Sequence, residues 1–207
     1  MSDSLPALIL ASGSPRRKDL LEEAGYSFRV VPPEIEEIED GTIPIRVLTA
    51  KNASLKAEAV AAKFPDAVIL AADTLVLLGE RVLSKPADRE EAREMLASLN
   101  GKSHQVFTAV SLVQRAKDKS RSLTVATDVH FKTLTEIERD AYHERIDPMD
   151  KAGAYAAQEH GRMIIDRLEG SMSNVIGLPM DEVAEALEKD FGIVLRGEKT
   201  GNDVGLV

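Results

Sequence analysis

The chain has 207 residues and a net charge of −9, with 43% apolar and 29% charged side chains, a balance that excludes a disordered chain. Its sign disfavours long polyanions as partners, so no nucleic acid polymer is expected. It has no cysteine, which excludes disulfide frameworks and thiolate metal sites.

The opening MSDSLPALILAS lacks the basic start and cleavage signature of a secretory leader. No apolar run nears the roughly 18 residues of a membrane span. A cytoplasmic protein without membrane attachment is therefore expected. Leu5 to Ala11 reads as a buried strand, and Ser12-Gly13-Ser14-Pro15 leads into a helix from Arg16 to about Ala24. Ser14 is placed to cap it, Pro15 suits its first position and Gly25 its end. Tyr26 to Val31 alternates like a strand until Pro32-Pro33. After the acidic stretch Glu34 to Asp40, a long helix is expected from Ile45 to Lys63.

Ala67 to Ala72 reads as a second buried strand ending in Asp73-Thr74, followed by a hairpin over Leu75 to Leu83 that turns at Gly79-Glu80. A helix is expected over Asp88 to Leu99. His104 to Arg115 and Ser122 to Leu134 read as an antiparallel pair across the turn Lys117 to Ser120. A helix over Thr135 to Arg145, a strand near Met163 to Leu168 and a helix after Pro179 complete the core. The pattern is α/β with a mixed sheet, in one domain over 1–196, with a polar tail over 197–207.

Four places carry candidate chemistry. Ser12 to Lys18 puts three cations at a helix N-terminus, where the macrodipole favours acids, so an anion bound there would explain the choice. Standing alone, the same string is more often an ordinary capped helix with solvated basic side chains. Asp73 ends an apolar run where α/β sheets place ligands; it could hold a divalent ion or take a proton from water, or simply open a turn. Lys85 could meet a phosphate as a point charge. An acid of the Glu34 to Glu39 stretch could complete a magnesium site, which needs only one or two carboxylates beside phosphate oxygens. The four histidines lack paired ligand spacing. No G-x-S-x-G elbow, Walker A loop or G-x-G-x-x-G is present.

Taken in order, LILASGSPRRKDLL, ADTLV with SKP, TAVSL, DKAGAYAAQ and GSMSNVIGLP resemble the Maf family of nucleoside triphosphate pyrophosphatases, over Leu8 to about Phe191. The resemblance implies an elongated mixed sheet with flanking helices, similar to inosine triphosphatases, with two lobes around a nucleotide cleft. It implies a divalent metal, Mg2+ or Mn2+, and a homodimer, typical of the family. By the same resemblance Asp73 is the general base, Arg17 and Lys85 bind phosphates with Ser12 and Ser14, and Glu37 joins Asp73 at the metal. Arg16, Thr74 and Gln158 match the set that implies dTTP and UTP as substrates. The family's other associations, a nucleotide-sensing regulator of septum formation or the same chemistry on a modified purine, are the alternatives. Two departures stand out. Asn52 occupies the place of a family lysine, so Lys56, one turn on, is expected to reach the phosphate instead. Ala157-Gln158-Glu159 replaces the family's Ile-Gln-Gly.

Overall fold

A computed structural model describes residues 7–195 of the chain. Leu5 and Pro6 of the expected first strand, and the expected tail over 197–207, lie outside the described residues. Seven strands form one mixed sheet in the order β2-β1-β3-β5-β6-β7, with β4 attached to β3 off this path. β1 (Leu8–Leu10) runs parallel to both β2 (Phe28–Val30) and β3 (Val68–Leu78). β3, β5 (Ser103–Gln114), β6 (Lys119–Phe131) and β7 (Ile165–Glu169) are successively antiparallel. β4 (Arg81–Leu83) folds back on β3 across Gly79, whose φ of +60° suits the tight turn. The β5–β6 turn is tighter than expected and lies earlier, over Arg115 to Asp118, so both strands keep their expected lengths but start and end sooner in the chain.

β3 does not end at Asp73. Its register with β5 is unbroken from Ile69 opposite Val113 to Leu77 opposite Gln105, so the expected strand and the first arm of the expected hairpin are one element. The alternation of its side chains then explains the architecture. On one face Leu70 and Ala72 pack with Leu20 and Leu21 of α1 (Pro15–Glu23) and with Val183 and Leu187 of α6 (Met180–Phe191). Further along that face Val76 packs with Met95 and Leu96 of α3 (Arg89–Leu99) and with Tyr142 of α4 (Glu136–His143). The opposite face is covered by α2 (Ile45–Ala61): Ala71 packs with Ala57 and Val60, and Leu75 with Ile45 and Leu48. Thr74 falls between the clusters of the first face, and Asp73 between those of the second.

The edge of β3 opposite β5 is also interrupted. β1 pairs with residues 68–70 and β4 with 76–78. Among the described residues no strand covers 71–75 on that edge, and a cleft opens there between two lobes.

Helix boundaries follow local chemistry. Thr135 caps α4 in a reciprocal capping box with Glu138, and Asp88 caps α3 by accepting from the Glu91 N–H. α5 (Met172–Ile176), absent from the expected elements, is a single turn capped by Ser171.

Candidate active site

The interrupted edge of β3 forms the floor of a cleft of about 620 Å³, a size that suits a small-molecule ligand. Ser12, Ser14, Arg16, Arg17, Glu37, Lys56, Asp73, Thr74, Lys85 and Gln158 all line it. They reach it from six segments of the chain, and β3 alone, carrying Asp73 and Thr74, reaches both lobes.

The Ser12 turn brings donors. Ser12 Oγ accepts from the Ser14 N–H at 3.1 Å and from Arg17 Nη1 at 3.3 Å, so its own proton is left for a ligand. Ser14 occupies the N-cap of α1 without a side-chain cap bond, Pro15 follows, and no acid lies in the first turn. The helix end therefore presents unpaired N–H groups to the cleft.

Arg17 is held from three sides. Nε donates to Gly177 O at 2.9 Å, Nη2 to Thr74 Oγ1 at 3.0 Å, and Nη1 to Ser12. Thr108 Oγ1 spends its proton on Asn174 O at 2.9 Å, so Thr74 must donate to Thr108, 3.0 Å away. That settles Thr74 as the acceptor from Arg17. Burial pulls the guanidinium below its ordinary pKa, against Asp73, which favours its charge; it stays protonated. Arg16 forks onto Asp150, with Nη1 to Oδ2 at 2.6 Å and Nη2 to the carbonyl at 3.1 Å. Lys151 holds the other carboxylate oxygen at 2.7 Å. Burial raises the Asp150 carboxyl, but these two cations outweigh it and keep the group below the usual range.

The acidic side is built on α2. Leu48, Asn52, Lys56 and Val60 recur every four residues and are all buried against the sheet. Asn52 accepts from the Ile38 N–H at 2.8 Å and donates to Ile38 O at 3.1 Å, which pins the acidic loop. Lys56 Nζ lies 2.6 Å from Asp73 Oδ1 and 3.0 Å from Glu37 Oε1. The expected phosphate contact of Lys56 is thus a clasp on two carboxylates in this structure. Burial raises the Glu37 carboxyl, yet Lys56 and then Lys85 outweigh it and hold the group below its ordinary value. Lys85 and Gln158 are exposed at the cleft, and neither side chain has a protein partner among the described residues.

Asp73 Oδ2 is buried without any hydrogen-bond partner. A buried orphan oxygen is costly unless a ligand completes it. With Glu37 it supplies the one or two carboxylates that a magnesium-like ion takes before recruiting phosphate oxygens. The residues present fit such an ion.

Several residues of this site were not singled out in the sequence. Asp150, Lys151, Thr108, Asn174 and Gly177 all shape the cation side. All five lie within strings that carry the family resemblance, but each looks unremarkable without its partner. Thr108, a polar residue amid the apolar run Val106 to Val113, was the readable signal.

A family profile described as Maf-like protein matches residues 7–190. The chain is 46% identical over 183 residues to a dTTP/UTP pyrophosphatase of Akkermansia muciniphila, covering 88% of this chain and 96% of that protein. It is 42% identical over 184 residues to a dTTP/UTP pyrophosphatase of Vibrio parahaemolyticus, again covering 88% and 96%. A solved structure of a HAM1 protein from Coxiella burnetii aligns with a TM-score of 0.43 at 17% identity, over 61% of this chain and 73% of that one.

Proposed function

This chain belongs to the Maf-like protein family, and from that premise we propose that it hydrolyses dTTP and UTP to the monophosphate and pyrophosphate. The observation that carries the proposal is the convergence of the cationic Ser12–Arg17 turn and the buried Asp73 on one cleft. A polyphosphate laid across the mouth of the β3 gap meets the Ser12 hydroxyl, the free N–H groups of α1 and the Arg17 guanidinium on one side, and Lys85 on the other. Each is a preorganised donor or charge aimed where negative charge develops.

Water attacks the α-phosphorus in line, the bond from that phosphorus to the bridging oxygen breaks, and pyrophosphate leaves. Asp73 and Glu37 would hold Mg2+ or Mn2+, which when bound supplies positive charge against the phosphate oxygens. Lys56 keeps the two carboxylates together without letting their charges repel.

Arg16, Thr74 and Gln158 divide the work of selection. Thr74 is committed to Arg17 and Thr108, and Arg16 to Asp150, so both act by fixing the cleft's shape. Gln158 keeps its amide for the pyrimidine edge, where a wrongly paired donor costs about 1–3 kcal/mol. The enzyme is assigned to the cytoplasm as a homodimer, on the sequence and resemblance grounds above.

A panel of dTTP, UTP, CTP, GTP and 7-methyl-GTP, with pyrophosphate and orthophosphate read separately, tests the proposal. Turnover of dTTP and UTP with release of pyrophosphate is expected. Selective turnover of the purines, or release of orthophosphate alone, overturns it.

A further inference from the structure

The segment that leads into the cleft wall at Gln158 passes through left-handed backbone at Gly153 and Ala154. Gly153 has φ +70°, and a side chain there would meet Val76 Cγ2 at 3.1 Å. Ala154, which is not glycine, has φ +58° and is fully buried. Left-handed backbone at a residue with a Cβ costs free energy and persists only where its surroundings over-determine it.

The surroundings do so residue by residue. The Gly153 N–H donates to Ser84 O at 3.0 Å, tying the wall to the turn that carries Lys85. His143 Nε2 donates to Ala154 O at 3.0 Å. The Tyr155 hydroxyl meets His104 Nε2 at 2.8 Å, and both rings pack edge-on against Phe131. Tyr142 donates to Ala156 O at 3.0 Å and accepts from the Ala156 N–H at 2.9 Å. Four consecutive residues each have one clamp, two of them, Tyr155 and Ala156, lining the cleft, and the restraint stops at Ala157 and Gln158, which continue its wall. Tyr142, His143 and His104 are buried and do not line the cleft themselves. Burial lowers the pKa of both histidines, which keeps the rings neutral in their clamps.

We propose that Tyr142, His143 and His104 are positioning residues for nucleotide selection: they hold segment 153–156, strained at Ala154, so that Gln158 is presented to the base. This rests on the pyrimidine nucleotide reading above, and it adds α4, an element outside the cleft, to the specificity apparatus. The phosphate end is anchored on α1 and α2 apart from Lys85, whose turn is tied to Gly153, so substitutions that release Ala154 and Ala156 and leave the Gly153 bond in place separate the two ends.

Tyr142→Phe keeps the ring and deletes both bonds to Ala156. It is expected to raise KM for UTP by about tenfold, in the range left by unpaired buried backbone groups, with a much smaller change in kcat. Discrimination between UTP and CTP should narrow, while inhibition by inorganic tripolyphosphate, a probe with no base, should be unchanged. Amide hydrogen exchange over residues 154–158 should quicken by about tenfold without a matching change elsewhere. His143→Ala should behave in the same way, and His143→Gln, which retains a donor at similar reach, should restore KM. Unchanged KM and exchange, or a fall in kcat and tripolyphosphate affinity as large as the rise in KM, overturns the proposal. If the wild-type protein turns over no pyrimidine triphosphate, the nucleotide reading fails, and the exchange data alone decide whether the clamp exists.

Discussion

Replacing Lys56 with methionine tests the electrostatic design of the site most directly. The ammonium lies 2.6 Å from Asp73 and 3.0 Å from Glu37, and its side chain is 8% exposed, against 6% for Asp73 and 41% for Glu37. The two contacts therefore differ in weight. Removing one partner of a buried pair leaves an uncompensated charge and costs roughly 3–5 kcal/mol. The half-exposed Glu37 contact is screened and adds only about 0–1 kcal/mol. For a chain of this size each kcal/mol lowers Tm by about 2–4 °C, so Lys56→Met should melt about 6–20 °C lower in metal-free buffer. Asp73→Asn on that background removes the stranded charge and should recover about 2–3 kcal/mol as a coupling between the sites. Calorimetry of wild type, both single variants and the double variant measures this. If Lys56→Met melts within about 3 °C of wild type and the two substitutions simply add, the clasp has no energetic content and its proposed role falls.

Other expectations follow from the same geometry. Asp73→Asn should lower kcat by about 10²–10³ while retaining nucleotide binding measured by calorimetry, and a near-wild-type rate would show that another group serves the attacking water. Gly177→Ala places a Cβ 3.3 Å from Arg17 Nε on a backbone with φ +133°, so kcat/KM should fall at least tenfold as Arg17 is displaced; an unchanged value would mean that Arg17 does not depend on that carbonyl. Chelation should abolish turnover, restored by Mg2+ or Mn2+, and leave the melting temperature nearly unchanged, because Lys56 already offsets both carboxylates; full activity in chelator would remove the metal from the scheme. Burial holds His104 at about 4 instead of 6.5. Between those values the unfolded chain binds the proton first, so stability is complete above pH 6.5 and falls by about 3 kcal/mol by pH 4. His104→Phe should flatten that slope in urea unfolding, and an unchanged slope would assign it to other groups.

Much of this was legible in the sequence because it depends on local chemistry. The Ser12-Gly13-Ser14-Pro15 turn specifies a helix start through Ser14 and Pro15, and the cations that follow, where the macrodipole favours acids, signal an anion site in one dimension. What the sequence concealed is pairing. The polar Asp73-Thr74 looks like a strand terminus because polar residues usually end buried runs. Here β5 continues alongside, and the break in apolar character marks a gap on the opposite edge. Asn52 looks like a lost charge at a family lysine position, yet its amide serves the backbone of Ile38. Lys56 occupies the same buried stripe of α2, but only the fold reveals that two carboxylates face it. His104 and His143 gave no signal because their partners are a tyrosine hydroxyl and a backbone carbonyl, neither of which has ligand spacing in sequence.

The charges of the cleft explain why these pairings matter. Arg16, Arg17, Lys56, Lys85 and Lys151 line it with Glu37, Glu39, Asp73 and Asp150, which leaves one positive charge in excess within a chain of −9. Arg16 and Lys151 are spent on Asp150, and Lys56 on Asp73 and Glu37. Arg17 bonds only neutral acceptors, and Lys85 bonds nothing among the described residues, so these two cations face an incoming polyphosphate with their charge intact. Two cations do not offset a triphosphate, whose charge rises further on the departing pyrophosphate. The deficit falls beside the orphan oxygen of Asp73, where the proposed divalent ion, held by Asp73 and Glu37, would supply the missing positive charge. Lys56 thus offsets the two acids where they meet, and in the proposed scheme it holds them ready for that ion.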